Sequence, residues 1–527
     1  MESLQSDQLN TSTHTKVQAG ATLIAASVLL SGCGIQEKIK SVTKPETPAF
    51  PPPPRNPNAE TARMALSRLT FGATPGEWNR VCEMGVGGYI EEALSANREE
   101  PGVLDWRVRS LDVQSEVESS PDTLENLPDG QLLTELQQAS LLRAIYSKNQ
   151  LKETLADFWT NHFNIYALKN NERVLLPVDA ERVVRPHVLG KFRDLLTESA
   201  HSPAMLSFLD NQLNRKGVAN ENYARELLEL HTLGVKSGYT QKDIQEVARC
   251  FTGWRVKGGG ELTSISFAKQ PSQYKFDAEM HDNGAKFIPF LNLHLTPNRG
   301  KGDAESVLEA LSVSPTTARF LAKKLCRRYL GEAPEAIVQR ASNAYLKSDT
   351  DIRALLRPIL LDGLLGGNAD SRKPILKRPL DFMVSSLRAL SADTDGGENL
   401  QVYLQNMGQP LYQWPMPDGY PTKEAAWTGS LLGRWNYALA LTANKIGGTQ
   451  LDLAPLFEAR GAKTPEQKAE ALTETILLTK SDSPLIQPLR RTLTHHIENA
   501  RRGGIKEEQV VSEITALIFA SPEFQRG

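Results

Sequence analysis

The chain has 527 residues, with 60 lysines and arginines against 62 aspartates and glutamates, for a formal net charge of −2. So even a balance provides no field to draw in a polyanion, which excludes nucleic acid as a favoured partner. Four cysteines, Cys33, Cys82, Cys250 and Cys326, are too few and too scattered for a disulfide scaffold, and none lies in a CxxC pair of the kind that serves zinc or redox chemistry.

The N-terminus is the first informative segment. Val17 to Leu30 reads VQAGATLIAASVLL, the length of a signal-peptide apolar core and too short to span a bilayer comfortably. It ends in Leu30-Ser31-Gly32-Cys33, which resembles the bacterial lipobox, where small residues precede a cysteine that is diacylated through sulfur. The region before it is weakly basic, with Lys16 set against Glu2 and Asp7. The resemblance implies export and a membrane anchor at Cys33, and Gly34 in place of an aspartate implies transfer to the outer membrane, facing the periplasm or the cell surface. Residues 34–58 then carry Pro45, Pro48, Pro51 to Pro54 and Pro57, a composition that favours extended polyproline geometry and predicts a semi-rigid tether.

A helical body is expected from residue 59 to 527. Ala62, Ala65, Leu66 and Leu69 share one face of its first helix. Segment 101–130, rich in Ser, Asp, Pro and Glu, reads as a polar excursion. Apolar residues then recur at threes and fours through Leu132, Leu136, Ala139 and Leu142, and again through Leu151, Leu155, Phe158 and Trp159, as bundle helices require. Asn220 to Gly234 puts Tyr223, Ala224, Leu227, Leu228 and Leu230 on one side and Glu221, Asn222, Arg225, Glu226 and Glu229 on the other, with His231 on the apolar side. Thr240 and Asp243 are spaced to cap the next helix, leaving Asp243, Glu246 and Arg249 facing outward. Alternating runs at Leu262–Phe267 and Phe287–His294 predict a small β excursion around 261–295, with His281 and Asp282 in a turn between them. Helix returns from Thr316 onward, interrupted by a long Pro- and Trp-rich loop from Gly408 to Gly429. The fold class is therefore mainly α.

His162, Asp210, Glu226, His281 and Asp282 include donors a divalent cation would need, but no spacing resembles HExxH or an EF-hand, which leaves the cofactor open. No GxSxG, P-loop or GxGxxG occurs. A solvated face stitched by i,i+4 ion pairs would explain Glu221, Arg225 and Glu229 with no ligand at all.

Several motifs in order carry a family resemblance: Leu66 to Pro75 (LSRLTFGATP), Phe158 to Phe163 (FWTNHF), Ser202 to Asn211 (SPAMLSFLDN), Asn220 to Leu227 (NENYAREL), Ala248 to Trp254 (ARCFTGW), His281-Asp282, Met407 to Gln409 and the closing Ala520 to Phe524. The chain resembles the bacterial family called domain of unknown function 1800 over nearly everything beyond the tether. The family's FWHNHF motif has Thr160 in place of its first histidine, and His231 stands where the family shows an aromatic residue. The resemblance implies export, and a possible second exported, sulfatase-like protein as partner. It also gives weight to a shared polar cleft, with Glu221, Arg225, Glu226, His281 and Asp282 as the catalytic set. His162, Asp210 and Asn222 would bind, with Trp159 and Trp254 as walls. Such a cleft suits hydrolysis or transfer on an envelope or extracellular polymer. The rival expectation is a non-catalytic envelope lipoprotein that scaffolds a partner, in which the same charges lock the bundle.

Overall fold

The computed structural model describes residues 43–46, 48–235, 237–257, 273–366 and 374–527. Cys33, the signal segment, the first part of the tether and the run Leu262–Phe267 lie outside the described residues. The architecture is mainly α-helical, with three two-stranded antiparallel sheets among the described residues.

Two apolar clusters build most of the core. The larger runs from the helix Ala59–Leu69, where Ala62, Ala65, Leu66 and Leu69 are fully buried, to the helical stretch ending at Leu365. The second gathers Leu380, Phe382, Met383 and Leu387 with Leu441, Leu472, Ile514 and Phe519. The long helix Asp129–Tyr146 stitches them together: Leu136 belongs to the first, Leu141, Ala144 and Ile145 to the second. Local signals set the helix ends. Thr240 and Asp243 form a reciprocal capping box, as do Thr464 and Gln467, while Gly331 closes Pro315–Leu330 in the left-handed conformation.

Three features depart from the sequence pattern. Segment 101–130 is not a bare polar excursion. It forms the helices Gly102–Arg109 and Asp112–Ser119 and a short 3-10 turn, and hides Val113, Val117 and Leu124 against Leu132 and Val174 in a small core of its own. Its few apolar residues fall at helical spacing, which the polar majority masks. The β excursion begins earlier than expected, since Trp254–Val256 pairs with Tyr274–Phe276, and it continues in a hairpin of Lys286–Ile288 with Leu293–Leu295. The last stretch of the tether lies against the body: Phe50 is buried, and the Pro51 carbonyl accepts a hydrogen bond from Arg460.

Among the described residues no helix is long and apolar enough to cross a membrane. Cys82, Cys250 and Cys326 are free, buried thiols, and burial pushes Cys326 up to about 12, which makes that sulfur a poor nucleophile.

Candidate functional site

The helix Gln150–His162 presents two chemically different sides. Trp159 is fully buried and donates its indole N–H to the Val188 carbonyl at 3.1 Å, so it is a core residue and not an open wall. Beside it His162, also buried, packs edge-on against Phe163. Its Nε2 donates to the His231 carbonyl at 3.0 Å, which leaves Nδ1 as an acceptor for the Lys324 amine at 2.8 Å. Burial first, then the Lys324 and His231 charges, hold the His162 imidazole well below its usual range, so it is neutral. The same burial takes His231 down to about 3.

Lys324 is the unusual group here. It stands on the helix Pro315–Leu330 between the Phe158 and Phe320 rings, 5.9 and 5.5 Å from their centroids. Among the described residues no carboxylate lies within 4 Å of it, and burial brings the amine down to about 8, opposed by the more distant Asp418. Asp418 also acts on Glu226, which joins the two groups electrostatically. Glu226 is half-buried and makes no ion pair within 4 Å among the described residues; burial, then Glu229, raises its pKa against the pull of Arg225. The Glu226 carboxyl is thus pushed up and the Lys324 amine pulled down, and the Asp418 charge acts on both.

The remaining polar arc is stitched as a helix face. Arg225 pairs with Glu221 at 3.2 Å and Glu229 at 3.8 Å, and reaches Gln241 on the next helix at 3.1 Å. The helix Asn222–Glu226 runs into a π-helical turn, Leu227–Thr232, which turns His231 inward and leaves Leu230 half-exposed. Asn222 is exposed and its amide donates to the Leu209 carbonyl at 3.2 Å. Asp210 adopts a left-handed backbone and pairs with Lys169 at 3.1 Å.

A clamped loop supplies Asp418. The Asn161 side chain accepts from the Tyr420 N–H at 2.7 Å and donates to its carbonyl at 3.2 Å, while Asn164 donates to the Trp414 and Met416 carbonyls at 3.0 and 2.7 Å. Gly419 takes a positive φ of 73°, and a Cβ there would run into the Asn161 carbonyl. Trp414 then donates to Asp418 at 3.0 Å. On this polar side of the helix Thr160 lines a cavity of about 70 Å³ with Asp157, Gln409 and Tyr412. Positions 160 and 162 point to different sides because two residues advance about 200° around a helix. A histidine at 160 would therefore face this cavity and not the Lys324 amine.

His281 and Asp282 belong to a different network. His281 is buried, not set in an open turn: Nδ1 bonds the Thr252 carbonyl at 2.7 Å, and Nε2 faces Asp303, which also binds the buried Lys286 at 2.6 Å. Hydroxyl, imidazole and carboxylate stand in the order of a hydrolytic triad, since Thr252 Oγ1 is 3.2 Å from Nδ1. That hydroxyl is committed, donating to the Arg249 carbonyl and accepting from the Asp282 N–H, and Thr252 is fully buried. Asp282 is gripped by Arg249 at 2.8 and 3.3 Å, which brings it down to about 2. Asp243, expected to face outward, is buried because its carboxylate also accepts the Phe290 N–H at 3.1 Å. Trp254 is fully buried and stacks on His201 at 4.6 Å. Asp282, Asp243 and Trp254 thus tie the hairpin to the bundle.

The structure therefore sets His162 against Lys324 with Trp159 packed behind it, leaves Glu226 linked to them only through the charge of Asp418, with Arg225 and Glu221 beside it on the helix face, and seats His281, Asp282 and Trp254 elsewhere. Lys324 and Asp418 were missed. Lys324 left a signal: it falls on the arc of Thr317, Leu321 and Leu325, where a lysine breaks the buried stripe. Asp418 left none, being one polar residue in a long loop. Among the described residues no group of three or more His, Cys, Asp or Glu side chains is arranged to hold a metal ion.

No curated protein and no solved structure matches the chain. The profile of the family described as Protein of unknown function (DUF1800) matches residues 64–526, and the chain belongs to that family.

Proposed function

We propose that the protein is an exported enzyme, anchored in the cell envelope through lipid on Cys33, that performs acid–base hydrolysis or transfer on an envelope or extracellular polymer. The observation that carries the chemistry is Lys324, a lysine bonded to the acceptor nitrogen of a neutral histidine, set between two rings and without a carboxylate within 4 Å among the described residues. An amine near 8 gives or takes a proton at neutral pH, and Glu226, raised by burial, offers the complementary acid. His162 orients the amine, and Asp418 tunes it.

Wild type is expected to release soluble sugar or peptide fragments from isolated envelopes, while Lys324→Met and Glu226→Gln lose that release with melting temperatures unchanged. Failure of the wild type to release anything from any envelope fraction would remove the catalytic assignment. Cys33→Ser tests the anchor separately: it should move the protein from the membrane to the soluble periplasmic fraction.

One observation favours a binding role beside this. Trp435 and Leu439 line an apolar groove with Leu517, at 46 % and 51 % exposure, and Leu432 on the same helix is 68 % exposed. A surface of this kind suits a second exported protein. Loss of co-purification on Leu432→Glu, with envelope release intact, would assign the groove to that partner.

A further inference from the structure

A second cavity lies where the C-terminal residues close against the first helix of the body, and Arg328 on its wall stands one helical turn from Lys324. Residues 375–377 pair with 525–527: the Ile375 N–H donates to the Gly527 carbonyl, the Gly527 N–H returns to Ile375, and the Lys377 N–H donates to Gln525. Behind this ladder is a space of about 80 Å³. It has room for a few waters or one small polyatomic ion, and none for a nucleotide or a sugar.

The lining is unusually cationic. Arg63, Arg68, Arg328, Lys377 and Arg526 face it, against the carboxylates Asp381 and Glu523. Some of that charge is already paired. Arg63 binds Glu60 and Arg526 binds Glu424, both at the exposed rim, and Arg328 shares Asp381 with Arg378. Lys377 is different. Its amine sits 3.6 Å from the centroid of the Phe524 ring, and no carboxylate lies within 4 Å of it among the described residues. The Arg328 Nε–H is buried there without a hydrogen-bond partner. Burial, then Arg434 and Arg63, bring Lys377 down to about 7 against the support of Asp381. Lys377, with no carboxylate within 4 Å among the described residues, and the unpartnered Arg328 Nε–H thus border a space that admits an anion.

We propose that this cavity binds a small tetrahedral oxyanion, inorganic phosphate or sulfate, with Lys377 and Arg328 as its inner donors and Arg63 and Arg526 at its mouth. Bound anion locks the C-terminal residues onto the first helix of the body.

The full chain is titrated with phosphate, sulfate and chloride at constant ionic strength, following melting temperature and the acetylation of Lys377 by acetic anhydride, read by mass spectrometry. Phosphate or sulfate should raise the melting temperature saturably and protect Lys377, and chloride should do neither; whichever oxyanion acts at lower concentration is the ligand. Lys377→Met should weaken the effect at least tenfold. Arg526→Gln, at the exposed rim, should weaken it several-fold and serves if Lys377→Met fails to fold. Equal effects of all three salts, or an undiminished oxyanion-dependent rise in melting temperature in both variants, would overturn the assignment.

Discussion

Asp179→Asn should stabilise the protein at neutral pH and leave it unchanged in acid. Asp179 is buried at the start of the π-helical turn Asp179–Val184, where its carboxylate accepts the Ser202 hydroxyl at 2.5 Å. Burial raises it from 3.8 to about 6, opposed only in part by that hydrogen bond. At about 1.36 kcal/mol per pH unit, ionising it costs the native state about 3 kcal/mol more than the unfolded chain. The sign follows from the direction of the shift. A carboxyl with a raised native pKa has its stability fully present below 3.8, and loses it as pH rises through about 6. Asparagine cannot ionise yet still accepts from Ser202. The variant should therefore match wild type near pH 3.5 and exceed it by up to about 3 kcal/mol above pH 7. Glu172, fully buried and raised well above its ordinary value by burial with Asp179 adding to it, should ionise more readily once Asp179 is neutral. Melting temperatures of both proteins from pH 4 to 8 give the comparison, with the difference growing by several degrees across the range. A difference independent of pH, or a less stable variant at pH 7.5, would mean that ionised Asp179 makes a favourable contact and that the reasoning is wrong.

Two further outcomes test the hairpin anchor and the loop clamp. Asp282, brought to about 2 by Arg249, contributes stability above the ordinary carboxylate pKa of about 3.9 that is lost as pH falls toward 2; Asp282→Asn should lower the melting temperature at pH 6, with the deficit closing in acid. Gly419→Ala must relieve both a positive φ and a clash with Asn161, at roughly 1–3 kcal/mol, so loop 408–430 should become susceptible to proteolysis while far-ultraviolet circular dichroism stays unchanged.

The helical architecture was legible because its causes are local. Apolar spacing put Ala62, Ala65, Leu66 and Leu69 on one face, and all four are buried. Thr240 and Asp243 close the expected capping box, since the cap and its N3 residue sit three apart in sequence. In 101–130 the apolar residues Val113, Val117 and Leu124 are few, so the polar majority conceals their helical spacing. Motif order also pointed to the family without a structure, because each motif is contiguous.

The site was legible only in part. His162 and Glu226 stood out as polar residues in recognisable motifs, yet their chemistry depends on Lys324, 162 positions after His162, and on a loop aspartate held by Asn161 and Asn164. Whether a charged residue faces water or the interior is likewise a tertiary matter. Asp243 and His281 have ordinary surface surroundings in sequence, and both are buried because a hairpin or a later helix brings the Phe290 N–H, Lys286 and Asp303 to meet them. By itself the sequence determined the helices, their caps and the family, since hydrogen bonding and apolar period act over one or two turns. Tertiary structure decided which imidazole stays neutral, which lysine sits near 8 and which carboxylates pair, because desolvation and Coulomb interactions depend on neighbours that only the packed chain supplies.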